Sequence, residues 1–130
     1  MAFRLATATR NTLATALGAG LNSGTLQIRT GSQPTNVGDA AQGTLLGTLT
    51  FSASAVGSPS TGVVTFASIT SDSSADNSGT AGHGRFLDSG AAIHSDADAA
   101  QGSGSINFDN SVIVAGGVIA ASGTLTVPIQ

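Results

Sequence analysis

The chain has 130 residues, a formal charge of −3 and only 8% charged side chains: four Arg, seven Asp, no Lys and no Glu. The acidic balance, with five Phe and no Tyr or Trp, excludes a basic, aromatic-rich nucleic-acid platform. No Cys is present, which excludes disulfides and thiolate metal sites, and no apolar run approaches the ~18 residues of a membrane-spanning helix.

Residues 3–17 carry the one helical pattern, with Leu13 and Leu17 at i, i+4 and Leu5 or Thr9 extending the stripe. Thr7 or Thr9 is expected to cap it, Gly18 and Gly20 to stop it, and Arg4 and Arg10 to face solvent. Thr throughout this segment, without a continuous apolar run, argues against a signal peptide. Residues 25–29 alternate as a strand with Leu26 and Ile28 inward. Residues 31–42, broken by Gly and Pro, read as a long loop of the kind that often binds something. Residues 44–51 are the second strand, with Leu45, Leu49 and Phe51 on one face, and 62–69 the third, with Val64 and Phe66 together. Residues 71–80 lack a large apolar side chain and read as exposed loop.

Residues 82–93 form the anchor hairpin. Asp88-Ser89-Gly90 makes its turn, with Gly90 taking a positive φ and Phe86 and Ile93 fixing a buried face. A second small-residue loop spans 96–104, with a flexible hinge at 102–104, and a strand presents Ile106 and Phe108. Apolar segments at 111–114 and 118–121 flank Gly116-Gly117, and the last strand places Leu125, Val127 and Ile129 on one face before Pro128 ends or edges it. The sum is a mainly β chain: a β-sandwich or jelly-roll-like single domain over 1–130. It divides into an N-terminal arm and short helix over 1–20 and the sandwich over 24–130. Thirty residues are Leu, Ile, Val or Phe, enough to fold, but around a thin core.

Chemistry-bearing clusters are sparse. His83 and His94 flank the hairpin turn and, with Asp96 or Asp98, contain residue types that ligate zinc or iron. Exposed strand positions explain both histidines equally well, and the expectation is no metal and no cofactor. Asp72, Asp76, Asn77 and Gly79 resemble a calcium loop in composition, but their spacing does not match one. No Gly-x-Ser-x-Gly elbow, paired-carboxylate groove with sugar platforms or phosphate loop is present, so no enzyme is expected.

The opening residues 1–11, Met-Ala-Phe-Arg-Leu-Ala-Thr-Ala-Thr-Arg-Asn, resemble a group of small proteins encoded in tailed-bacteriophage structural gene clusters. The likeness continues in order through 24–34, 43–46 with 49–51, 69–72 with Ala75-Asp76, and the turn at 85–90. The resemblance implies a non-enzymatic virion component, of the capsid or its connector. Short Ser, Thr, Ala, Gly and Asn side chains, which lose little entropy on packing, describe a surface lying against other protein; the alternative is a soluble β domain with a Ser/Thr-coated exterior. The expected role is a capsid cement or decoration protein on the capsid surface, bridging the major capsid protein and copies of itself as a homo-oligomer, with no nucleic-acid or membrane partner. Arg4, Arg10, Gln33, Pro34, Thr35 and Asn36 are the expected contact residues. A tail or head–tail connector subunit is the alternative, and a carbohydrate- or receptor-binding β module the next.

Overall fold

In the computed structural model, residues 5–101, 106–108 and 111–126 are described. Arg4, the hinge at 102–104, and Val127, Pro128 and Ile129 of the last expected strand lie outside them. The elements in order are α1 (Thr7–Ala19), β1 (Thr25–Thr30), β2 (Leu45–Thr50), β3 (Val63–Thr65), β4 (Gly79–Leu87), β5 (Ile93–Gln101), β6 (Ile106–Phe108), β7 (Val112–Ile113) and β8 (Ala121–Thr126). The fold is mainly β with one N-terminal helix, as the alternation of apolar residues predicts.

The strands run in the order β2-β1-β4-β5-β6-β8-β3, with β7 pairing β4 off this path. All pairings are antiparallel except β5 with β6, which is parallel. The β6-β8-β3 portion folds back over β2-β1-β4-β5. Phe66, just past β3, stacks on Phe51 with ring centroids 5.0 Å apart and lies 5.6 Å from Phe86 of β4. A Cβ at Gly84 of β4 would overlap Ile106 of β6, so the two layers touch backbone to side chain there. Leu26, Ile28, Leu46, Leu49 and Val64 share the core with Leu21, which follows the helix, and with Ile106, Phe108, Ile113, Ile119 and Leu125.

Both outer edges of this path are occupied. Along β2, Thr70 exchanges two backbone hydrogen bonds with Thr50, the Asp72 carboxylate accepts from Thr48 N–H, and Asp76 N–H donates to the Leu46 carbonyl. Along β3, Ser60 exchanges two bonds with Val63 and Gly57 N–H donates to the Thr65 carbonyl.

Several expectations are corrected. On α1 the buried stripe is Arg10, Ala14 and Gly18, while Leu13 is 45% exposed. Leu17 is half-buried against the core, and the helix lies so close to the 55–62 segment that a Cβ at Gly18 would overlap Val56, so small residues form the closest contact. The helix begins after Ala6 without a side-chain cap, and Gly20 ends it in right-handed geometry. A register shift opposite Ile28 and Arg29 turns Leu46 inward and leaves Leu45 half-buried. In the β4–β5 hairpin, Ala91 rather than Gly90 takes the positive φ, 65°, and Ile93 is 43% exposed. The Asp88 carboxylate accepts from Gly90 and Ala92 N–H, and Asp88 N–H donates to the Ala92 carbonyl, closing a longer turn. Residues 96–101 are strand rather than loop, because Ala97 suffices where the core is thin and Asp96 is held by a cation. Residues 71–80 are not all exposed: Ala75 is buried, and Gly79 and Thr80 open β4.

Candidate functional site: the 31–43 loop and its buried anchor

The β1–β2 connection leaves the sheet and returns to it through a narrow neck. Thr30 N–H donates to the Thr44 carbonyl, and Thr44 N–H to the Thr30 hydroxyl at 2.9 Å. Gly43 sits at φ 70°, and a Cβ there would overlap the Thr30 carbonyl, so glycine is required for the strands to meet. The residues between form a compact excursion with adjacent ends. At its tip the Asp39 carboxylate accepts from the Asn36 backbone and side-chain amides, and Asp39 N–H donates to the Asn36 carbonyl.

Beneath the loop lies the outer, polar face of β1, β4 and β5. Cross-strand register aligns Thr48, Gln27, Arg85 and Asp96 in one row, with Arg29 and His83 in the next. Arg85 and Asp96 form an ion pair whose side chains are 5% and 1% exposed. Arg85 Nε donates to Asp96 Oδ1 at 2.8 Å and Nη2 to Oδ2 at 3.2 Å, while Nη2 also reaches the carbonyls of Asp39 (3.0 Å) and Val37 (3.4 Å). The hydrogen bonds to Asp96 raise the guanidinium pKa, against the lowering that burial causes; the charges of Asp96 and Asp39 add to the rise. The same guanidinium therefore closes the sheet face and fastens the loop tip upon it. His83, 1% exposed, donates from Nδ1 to the Gly31 carbonyl at the loop's start.

The expected contact residues divide. Gln33, Thr35 and Asn36 are exposed on this loop, together with Val37 at 47%, whereas Pro34 is buried and packs the loop down. Arg10 is corrected: it is 8% exposed, not solvent-facing, with Nη1 donating to the Thr61 carbonyl and Nη2 to the Thr7 hydroxyl. With Asn11, which accepts from Gly62 N–H, it pins the turn before β3 to the helix. That inward position removes its charge from the surface.

His83 and His94 are not brought together. His94 is half-buried; its Nε2 donates to the Leu17 carbonyl near the helix end, and the Ser95 hydroxyl donates to its Nδ1. Both rings are thus engaged by different parts of the chain, and neither is an exposed strand position. Asp72 does not face an open loop either: its carboxylate accepts from Thr48 and Ser74 N–H. Among the described residues no group of three or more His, Cys, Asp or Glu is placed to hold a metal ion.

Sequence reasoning overlooked Arg85 and Asp96 as a pair. The only signal in the sequence is that a cation and an anion lie in the two arms of one hairpin, three residues before and six residues after the Asp88-Ser89-Gly90 turn. The chain matches no known protein family, no curated protein and no solved structure.

Proposed function

We propose that this protein is a non-enzymatic structural component of a tailed-phage virion, a capsid cement or decoration protein that bridges and stabilises major capsid protein subunits. The observation that carries the reading is the 31–43 loop: a polar, outward-facing segment fastened at its tip by a buried ion pair on a β scaffold. Preorganising a contact loop lowers the ordering cost of binding, and rigid scaffolds commonly present their contacts on loops. Gln33, Thr35 and Asn36 supply amide and hydroxyl groups there, with Val37 as an apolar contact. The low charge of the chain and its sequence resemblance support the same reading.

The test is stoichiometry in purified particles, followed by loop variants. Hundreds of copies relative to the major capsid protein support a cement role; dozens would instead assign a tail or neck subunit, and absence from particles would refute a virion role. Replacing Gln33, Thr35 and Val37 together by Ser is expected to lower occupancy at least tenfold while leaving the melting transition unchanged. Unaltered occupancy would move the interface away from this loop.

A further inference from the structure

We infer that the first half of α1 and the turn at Thr61-Gly62 form a latch that conceals Arg10 and opens while the sheet stays folded, independently of the role proposed above. Ser60 and Val63 exchange two backbone hydrogen bonds around this turn, whose central residues sit at φ 49° (Thr61) and 79° (Gly62). Glycine takes that conformation freely, but a β-branched residue is strained in it. The helix grips the strained turn at two points. Arg10 Nη1 donates to the Thr61 carbonyl at 3.0 Å, and Gly62 N–H donates to Asn11 Oδ1 at 2.8 Å.

The helical side of the latch is also under tension. Arg10 is 8% exposed, yet unlike Arg85 it meets no carboxylate among the described residues. Its Nε is buried without a hydrogen-bond partner, and Nη2 reaches the Thr7 hydroxyl at 3.3 Å. No acidic residue stands in the first turn of α1, so the positive helix end and the guanidinium lie close together uncompensated. Burial of a cation on these terms opposes docking.

The second half of the helix is held differently. Ala14 is fully buried, Leu17 packs against the core, and Gly18 lies against Val56. The Leu17 carbonyl also accepts from His94 Nε2. Residues 7–12 can therefore leave while the rest of α1 stays packed, a local opening of low cost. Opening hydrates the guanidinium, frees Thr61 to relax and carries Arg10 to the surface. The exposed charged side chains of the described residues are otherwise Asp39 and Asp76. The open latch thus presents a cation where the closed surface shows carboxylates.

Guanidinium labelling with phenylglyoxal, read by peptide mapping of the folded full chain, tests the latch. Arg10 is expected to react roughly tenfold or more faster than Arg85, whose release requires the sheet to open. Thr61→Asn supplies the Asn-Gly pair suited to two successive positive φ angles, so it relieves the strain without loosening the chain. It should slow Arg10 labelling about fivefold and slow hydrogen exchange at the amides of residues 10–13 in parallel. Simple fraying of a helix end would not respond to a substitution about 50 residues away. Equal labelling of Arg10 and Arg85, or Arg10 labelling and exchange at 10–13 untouched by Thr61→Asn, would each overturn the proposal.

Discussion

Burying a guanidinium costs several kcal/mol unless it is paired and hydrogen-bonded. Arg85 meets that condition through both Asp96 oxygens and the carbonyls of Val37 and Asp39. Removing one partner leaves the other charge uncompensated, so Arg85→Ala is expected to destabilise the fold by about 3–5 kcal/mol in denaturant unfolding. Replacing both partners, Arg85→Met with Asp96→Leu, should recover much of that loss, because packed apolar side chains can substitute for a buried pair. The double variant still lacks a donor for the two loop carbonyls. Hydrogen exchange in residues 33–40 should therefore accelerate although global stability is largely regained; unchanged exchange would mean that the loop does not depend on Arg85. At this scale the sequence was least legible. Arg10 and Arg85 look like surface cations because charge usually is, and the acceptors that bury them, the Thr61 carbonyl for one and Asp96 with the Val37 and Asp39 carbonyls for the other, meet them only in the fold.

Strands were easier to read than the helix, for a physical reason. Alternation in β1 and around Val64 and Phe66 reflects one core face and one polar face, and Leu26, Ile28, Val64 and Phe66 are buried accordingly. Where the register shifts, as at Leu46, alternation breaks and the inward face cannot be assigned by counting. In α1 Leu17 does pack against the core, but Leu13 is misleading. The closest packing face of the helix is Ala14 and Gly18, while Leu13 lies outside. Gly18→Ala is expected to destabilise by about 1–3 kcal/mol through overlap with Val56, despite the better helix propensity of Ala. Val56→Ala in the same chain should relieve most of that loss. A favourable coupling energy in the double-mutant cycle checks the contact, and additive losses would contradict it.

For the molecule as a whole, the three-ring cluster of Phe51, Phe66 and Phe86 joins the layers, and Phe86 is fully buried. Phe86→Ala is expected to cost about 3–5 kcal/mol by chemical denaturation, a large share of the marginal stability of a domain this size. The mainly β architecture was legible from patterning. The polar outer face was not, because β5 holds Asp96 against Arg85 instead of displaying an apolar stripe, so residues 96–101 resemble a loop. The occupied edges of β2 and β3 carry a further consequence. Free strand edges are templates for fibril growth by strand addition, and here the Thr70–Asp76 and Gly57–Ser60 backbones already take the outward-facing hydrogen bonds of Leu46, Thr50, Val63 and Thr65. Strand addition along β2 or β3 would therefore first have to displace bonds the chain already makes with itself, a barrier that charge repulsion, weak in this chain, does not supply.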